Sequence, residues 1–412
     1  MEPMASPRMK CFGRAWMLAL LVAGCRPAPP PQFTTWAKVE VPEARQRGGS
    51  EAFDTYLEAA EQVRRDDALG LSRVNFTAEQ RRASIERSAS ALRLVRNGTR
   101  QNLNYRFIVT EPFAPNETLA AWRHLGRMMG WEIENSAAAN AGDTATRVRE
   151  LMVFAHALMQ GGAPEADTGL ALMDEARIAI LNHLDTLDAR NLRAISEILK
   201  PYAAEPDWLD RAIENEAKSM RMGVQWVQDA FLKEDWKKVN EQLGTEVVPA
   251  TKYLSELRHD DGAKQVAYFQ GFAAEVDIEL KTIRDAAAVP AAKREKTLFI
   301  PEGERPWKRF SKHFFRTLRP LLSRYDLTLT RTKLLILECM VRAQVKESRL
   351  APPDLSKFDP ELTTDPLTGQ PFGYSAVGPV YKLYSIGMDQ QDNGGVSDTE
   401  HASPDLTLEY HR

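Results

Sequence analysis

Cysteine is scarce in this 412-residue chain, which contains only Cys11, Cys25 and Cys339. So few cysteines cannot supply the dense disulfide framework on which small secreted domains depend. Long hydrophobic runs are also missing. The apolar stretch at residues 15–23 is much shorter than the ~20 residues that a membrane-spanning helix needs, and no second run approaches that length. The sequence therefore predicts a body that folds around its own core in water.

Familiar catalytic motifs are absent as well. Histidine occurs only 7 times, never as H-E-x-x-H and never beside cysteines at zinc-binding spacing. There is no G-x-S-x-G motif, no phosphate-binding loop and no dinucleotide fingerprint. Cys339 lies in the apolar segment 333–341, and such surroundings make a thiol unreactive. We therefore predict no catalytic residue.

Two pairs of polar residues could carry chemistry, but each has a plainer interpretation. His156 and His183 lie near the apolar faces of adjacent predicted helices, where histidines with satisfied hydrogen bonds are common. Glu214 and Glu216 are two positions apart, a spacing at which helical side chains do not face each other. We interpret the two glutamates as part of a solvated face.

The charge balance argues against nucleic acid as a partner. The chain has 54 Lys and Arg against 57 Asp and Glu, a formal net charge of −3. Nucleic-acid-binding domains usually carry a clear basic excess.

The N-terminus has the features of an export signal. Arg8, Lys10 and Arg14 precede the apolar run, an order typical of secretory signal peptides. The run ends in LVAGC at residues 21–25, which resembles the bacterial lipobox. The resemblance implies that residues 1–24 are a lipoprotein signal peptide and that Cys25 is lipidated. A plain signal peptide followed by a chance cysteine is the alternative.

Residues 25–50 are predicted to be a linker. Residues 26–32 read RPAPPPQ, and prolines favour an extended, solvated backbone. Several acyl chains at Cys25 would hold the protein firmly at a membrane, where a single chain would not. We therefore expect a protein of the cell envelope that is lipid-anchored and faces the periplasm or the cell exterior.

Residues 51–325 are predicted to form a helical domain, because apolar residues recur at three- and four-residue spacing. Thr77 and Gln80 form a capping-box pattern at the start of one helix. The segment 207–239 carries a seam like that of coiled coils. The fold class is therefore mainly α: a helical bundle or an irregular array of helix hairpins, followed by a small α+β domain. The predicted core residues are Phe53, Tyr56, Leu57, Ala60, Val63, Ile85, Ala89, Leu92, Val95, Val148, Leu151, Met152, Ala155, Leu158, Met159, Leu172, Ala176, Ile180, Leu184, Leu192, Ile195, Leu199, Leu209, Ile213, Ala217, Met220, Val224, Val227 and Phe231.

Residues 326–412 predict a different architecture. A helix ends before a pair of prolines, and Asp365 with Gly369 indicates a turn. Residues 371–377 and 380–387 read as two short strands joined by a Gly-Pro turn.

This order of elements resembles the globular part of type II secretion major pseudopilins and related type IV pilins. The resemblance implies a pseudopilin-like domain at the end of a tethered lipoprotein. The long apolar assembly helix of pilins has no counterpart here, so polymerisation is not expected. The whole chain is also similar to exported bacterial proteins that have a helical body and a D-P-x-T-G-x-P ending. The matching residues are Asp365, Pro366, Gly369, Pro371, Tyr374, Tyr381, Leu383, Tyr384, Ser385, Gly387 and Asp389.

In the pseudopilins the loop after the last strand binds calcium. The resemblance implies that Asp389, Asp392, Asn393 and Asp398 supply oxygen ligands, which calcium prefers. The acidic motif that follows in the family is absent here. An ordinary Asx/Gly turn without metal is the alternative.

Together these features favour a structural or adaptor protein that binds another envelope protein or an envelope polymer and is connected with secretion. The alternative is a hydrolase-like envelope enzyme with a cleft built from distant helices, because catalytic groups need not be adjacent in sequence. An exposed strand edge would favour the adaptor, and a pocket with converging polar residues would favour the enzyme.

Overall fold

The computed structural model describes residues 33, 36, 51–67, 75–103, 105, 117–204, 208–294, 305–314, 317–396 and 405–408. Within this part the protein is mainly α-helical with one two-stranded antiparallel sheet, so the coarse fold class is confirmed. The elements are α1 (Ala52–Asp66), α2 (Ala78–Arg87), α3 (Ala89–Gly98), α4 (Glu117–Ala138), α5 (Thr144–Met159), α6 (Ala163–Leu181), α7 (Ala189–Leu199), α8 (Leu209–Lys233), α9 (Trp236–Leu243), α10 (Val248–Leu257), α11 (Gly262–Ala287), α12 (Lys308–Phe314), α13 (Leu318–Ser348), α14 (Pro360–Thr363), β1 (Gly373–Val377) and β2 (Val380–Tyr384).

Local sequence signals set the start of several helices. The predicted capping box is confirmed, since the N–H groups of Thr77 and Gln80 each donate to the side chain of the other. Asp188 caps α7 and Asp261 caps α11, each by accepting a backbone N–H three residues on. A side-chain cap of this kind satisfies an otherwise unpaired donor and is worth about 1 kcal/mol.

Two predicted helices are each broken in two. The helix after the capping box is interrupted at Ser88, so α2 and α3 follow one another directly. The prediction of one continuous helix at 207–239 was wrong, because Glu234 adopts a left-handed conformation with φ of 58° and α8 ends there. Asp235 then caps a separate helix, α9.

The predicted apolar faces form the core. Nearly all the predicted core residues are buried, including the whole seam of α8. Only Leu57, Ile85 and Ala89 remain partly exposed. Helices α4, α5 and α6 pack on one another, and α6 also contacts α8 and α13. Gly126 permits the close approach of α4 to α6, since a Cβ there would lie 2.4 Å from Cγ of Leu172.

Helix α13 joins the helical body to the C-terminal hairpin. It packs on α6 and α7 and also contacts α14 and β2. The predicted domain boundary between residues 325 and 326 lies inside this continuous helix. The hairpin therefore rests on a helix that is itself part of the main core.

Two described residues lie in the predicted linker at 25–50, and both contact the folded body. Phe33 is buried, and its ring centroid lies 5.8 Å from that of Phe231 and 4.9 Å from that of Phe269. The indole N–H of Trp36 donates to the Asp277 carboxylate at 3.2 Å. Because burial of an aromatic ring strongly favours association with a core, the chain at Phe33 is part of the body rather than a free linker.

The predicted C-terminal turn and hairpin are confirmed. Gly369 and Gly378 have φ of 70° and 63°, which glycine adopts without steric cost. The buried Asp365 carboxylate accepts the backbone N–H of Leu367 at 2.9 Å and the hydroxyl of Ser385 at 2.7 Å. One carboxylate thus fixes the turn before β1 to the end of β2.

Candidate functional site

A cleft of about 870 Å³ lies between β2, α13 and the end of α6. All five residues of β2 line one side. The opposite side is formed by α13, which contributes Glu338, Arg342 and Lys346, and Thr407 and Leu408 also line the cleft. A volume of this size is within the range of ligand-binding sites.

The edge of β2 that faces away from β1 runs along this cleft. Ser385, just after β2, exchanges two backbone hydrogen bonds with Leu406, at 3.0 and 2.8 Å. Because backbone groups alternate between the two edges of a strand, Tyr381 and Leu383 point their N–H and C=O to the same side as Ser385. Among the described residues, neither has a backbone partner there. Such an edge can pair with an extended segment of another polypeptide.

Arg342 pairs with both carboxylates that line the cleft, those of Glu338 and Asp185. Glu338 accepts hydrogen bonds from Arg342 Nε at 2.5 Å and from the Tyr381 hydroxyl at 2.8 Å. The same guanidinium forms an ion pair with Asp185. Burial raises the pKa of Tyr381, and the Glu338 carboxylate raises it further, so this hydroxyl keeps its proton as a donor.

The cleft also carries two lysines that have no carboxylate partner among the described residues. Lys346 Nζ donates to the backbone carbonyl of Asp185 at 2.9 Å, and Lys382 Nζ donates to that of Gly394 at 3.3 Å. Within the described part of the chain, neither lysine forms an ion pair. The unpaired charges that these two lysines present to a ligand in the cleft are therefore positive.

The residues of the predicted calcium site lie in the loop after β2. Asp389 accepts the N–H of Gln391 at 3.2 Å, and Asp392 accepts the N–H of Gly394 at 2.8 Å, so both form Asx turns. Asp392 also accepts the Tyr384 hydroxyl at 3.0 Å. These contacts fit the alternative interpretation of the loop, a turn without metal.

A residue that sequence reasoning missed, Asp405, organises the same loop. Its buried carboxylate accepts the N–H groups of Asn393 at 3.0 Å and Gly395 at 2.7 Å, while its Oδ1 has no partner among the described residues. That unpaired oxygen could serve a cation. Asp398 lies outside the described residues, and the described part of the chain contains no group of three or more acidic, histidine or cysteine residues arranged for a metal. The calcium site stays a prediction.

The interpretation of Glu216 as part of a solvated face was wrong. Glu216 is buried, and its carboxylate accepts the N–H of Ala163 at 3.1 Å at the first turn of α6. Glu165 accepts the adjacent N–H of Gly162 at 3.1 Å. Burial raises the pKa of Glu216 to about 8, with a further contribution from Glu165. Burial raises the pKa of Glu165 too. Glu214, by contrast, is exposed and pairs with Lys218.

The chain also brings a serine, a histidine and an aspartate together in its core. His124 Nε2 lies 3.2 Å from the Ser84 hydroxyl and 3.1 Å from Asp67 Oδ2, and Ser84 also bonds Asp67. In a catalytic triad the aspartate bonds Nδ1, which leaves Nε2 free to accept the serine proton. Here one nitrogen faces both groups, and Nδ1 is buried without a described partner. The cluster therefore has the arrangement of a structural hydrogen-bond network.

Charge and burial in this network agree with a structural role. Burial disfavours ionisation of Asp67, but hydrogen bonds from Ser84, His124 and Arg87 outweigh it and lower the pKa. Burial lowers the pKa of His124, so its imidazole is neutral at pH 7. A neutral histidine that donates Nε2–H to Asp67 cannot take a proton from Ser84 at the same atom.

The structure also locates the other residues that the sequence analysis discussed. Cys339 is fully buried and burial raises its pKa, as expected for an unreactive thiol. The His156 ring packs against Tyr202 with centroids 5.7 Å apart. His183 lies just beyond the end of α6 and is partly exposed. Cys25 lies outside the described residues.

Comparison with known proteins adds no relative. No protein-family model matches the sequence, no curated protein is significantly similar to it, and no solved structure matches the fold. None of the described helices has both the length and the apolar character needed to cross a bilayer.

Proposed function

We propose that the protein is a cell-envelope adaptor, held at a membrane by a lipid on Cys25, that binds an extended segment of another envelope protein. The observation that carries this proposal is the edge of β2 at the cleft, where Tyr381 and Leu383 have no backbone partner among the described residues. Tyr381 and Leu383 offer backbone donors and acceptors there, and Ser385 already pairs with Leu406 on the same edge. Main-chain pairing of this kind supplies affinity, and pockets for alternate side chains supply specificity.

The charge of the cleft favours an acidic segment. Lys346 and Lys382 are bonded only to backbone carbonyls among the described residues, so each can pair with a carboxylate of the ligand. Complementary charge at such a site raises the association rate and suppresses wrong partners. The bound segment would add a third strand to the sheet, with its acidic side chains facing the two lysines.

The position of Phe33 supports a short tether. Cys25 is only eight residues before Phe33, and Phe33 is fixed on α8 and α11. An extended chain of that length spans at most ~29 Å. A lipid at Cys25 would therefore keep the side of the body formed by α8 and α11 close to the membrane.

We propose further that the hairpin and the turn before it form a pseudopilin-like domain carried on α13. The observed order of helix, proline-containing turn and hairpin supports this proposal. Because α13 is part of the main core, the domain would be presented rigidly to a partner.

Fluorescence anisotropy with two labelled peptides tests the adaptor proposal. One peptide alternates threonine and glutamate, and its matched control alternates threonine and lysine. We expect the acidic peptide to bind and the basic one to bind at least about tenfold more weakly. Equal binding of the two peptides, or no binding of either, would overturn the proposal.

Matched variants locate the binding on the strand edge. Leu383→Pro removes the edge N–H, whereas Leu383→Ala shortens the side chain to a similar extent but keeps that N–H. We expect the proline variant to bind about tenfold more weakly than the alanine variant. Lys382→Glu should also weaken binding, while Lys252→Glu, at an exposed position outside the cleft, should not. If the proline and alanine variants bind equally, the peptide does not use the edge.

The lipid anchor is tested separately, by mass spectrometry of the N-terminal peptide of protein purified from membranes. We expect an acylated Cys25 at the N-terminus, and loss of membrane association in Cys25→Ala. An unmodified N-terminus elsewhere in residues 15–40 would show a plain signal peptide.

A further inference from the structure

A second cavity lies inside the helical body, apart from the cleft. Its volume is about 460 Å³, and its walls come from α5, α6, α13 and the 3-10 turn Lys200–Ala203. Most lining residues are apolar or aromatic. His156, Tyr202 and Leu329 are partly exposed and Pro201 and Ala204 are exposed, so the cavity is open to solvent on their side. A mainly apolar pocket of this size with a few polar groups is typical of small-molecule sites.

Three aromatic side chains dominate the lining: Tyr202, Trp208 and Tyr325. The rings of Trp208 and Tyr325 meet edge to face, with centroids 5.3 Å apart at 81°. The Tyr325 hydroxyl donates to the carbonyl of Ala204 at 3.3 Å, which fixes the ring. Fixed aromatic rings offer edges and faces to another ring, and such contacts add about 1 kcal/mol beyond the burial of area.

Polar groups for a ligand are few. Among the described residues, no acceptor bonds the Tyr202 hydroxyl, and burial raises the pKa of Tyr202, so the hydroxyl is protonated and can donate. Thr328 of α13 also lines the cavity and is buried. A buried hydroxyl gains free energy when it finds a hydrogen-bond partner.

Charged ligands do not fit this lining. Among the described residues that form the cavity there is no lysine, arginine, aspartate or glutamate, and the ring of its histidine, His156, packs against Tyr202. A charge that enters an apolar site without a partner loses its hydration at high cost. The aromatic rings could attract a cation, but the described lining offers no carboxylate to pair with it.

We propose that this cavity binds a small uncharged aromatic molecule, with its ring among Tyr202, Trp208 and Tyr325 and one polar group at the Tyr202 hydroxyl. The observations that carry the proposal are the aromatic lining, the Tyr202 hydroxyl, which has no acceptor among the described residues, and the absence of lysine, arginine, aspartate and glutamate from the described lining. The inference is independent of the cleft and of the proposed function.

Isothermal titration calorimetry with three aromatic compounds tests it. The compounds are 2-naphthol, which is neutral at pH 7, 2-naphthoate, which is an anion, and a trimethylammonium-substituted naphthalene, which is a cation. We expect 2-naphthol to bind the purified protein at least about tenfold more tightly than either charged compound. No binding of 2-naphthol, or tighter binding of the anion or the cation, would overturn the proposal.

Two variants assign the binding to this cavity. Leu329→Trp places a larger side chain in the lining and should abolish 2-naphthol binding, provided that its circular dichroism and melting temperature match those of the wild type. Tyr202→Phe keeps the ring and removes the hydroxyl, so the preference for 2-naphthol over naphthalene should fall about fivefold or more. If both variants bind 2-naphthol as the wild type does, the molecule binds elsewhere and the proposal fails.

Discussion

The carboxylates of Glu165 and Glu216 each accept a backbone N–H at the first turn of α6, from Gly162 and Ala163 respectively. No described lysine or arginine forms an ion pair with either one. The N-terminal end of a helix favours negative charge, but burial of two carboxyl groups side by side disfavours the ionisation of both. Ionisation of this pair therefore destabilises the folded protein, so the free energy of unfolding depends on pH.

Glu216→Gln should stabilise the protein at alkaline pH. An unfolded Glu216 ionises near pH 4.5, whereas its folded pKa is about 8. The contribution of the protonated Glu216 carboxyl group to stability is fully present below pH 4.5 and is lost as the pH rises through 8. Glutamine keeps an acceptor for the Ala163 N–H without the charge. We expect urea denaturation at pH 9 to show a gain of about 2 kcal/mol, and almost none at pH 4. Glu214→Gln, on the exposed face, is the matched control, and equal effects of the two changes would contradict this account.

Asp67→Asn should destabilise the core near His124. Asp67 accepts hydrogen bonds from Ser84, His124 and Arg87, and an amide cannot accept all of them. We expect a loss of about 3 kcal/mol at pH 7 in urea denaturation. Because the folded pKa of Asp67 is lowered, the wild-type contribution is present above pH 3.8 and disappears as the pH falls through the folded pKa. The loss should therefore shrink at low pH. Asp66→Asn, at the exposed neighbouring position, should have little effect.

Asp405→Ala should loosen the loop after β2. The change leaves the N–H groups of Asn393 and Gly395 without their acceptor. We expect faster hydrogen exchange across residues 389–396, with a local loss of about 2 kcal/mol. Asp389→Ala removes only one exposed Asx-turn bond and serves as control. Unchanged exchange in Asp405→Ala would show that other contacts hold the loop.

Calcium binding by the same loop is tested by calorimetric titration of calcium into the wild type and into Asp389→Ala/Asp392→Ala. If the pseudopilin resemblance extends to the metal, the wild type should release or absorb heat and the double variant should not. Asp405→Asn should weaken binding too, since its buried Oδ1 lies beside this loop and has no partner among the described residues. Absence of heat in the wild type would leave the loop as an Asx/Gly turn.

The sequence alone determined most secondary structure and much of the core. The capping box at Thr77, the seam of α8 and the Gly378 turn depend on residues close together in the chain. Hydrogen bonds and apolar periodicity of this kind are local, so they can be read without knowledge of the fold. One further signal was available: Glu216 is three residues after Ile213 and four before Met220, at the margin of the apolar seam.

Only the tertiary structure decided which residues come together to form the candidate sites. The outer edge of β2 lines a cleft because α13 packs opposite it, and Asp405 reaches the loop after β2 from beyond residue 400. The burial of Phe33 was likewise set by distant packing. Contacts between residues far apart in sequence depend on how helices pack, and many packings satisfy the same local pattern. The sequence therefore specified the helices and strands, while their packing created the cleft, the buried carboxyl pair and the aromatic cavity.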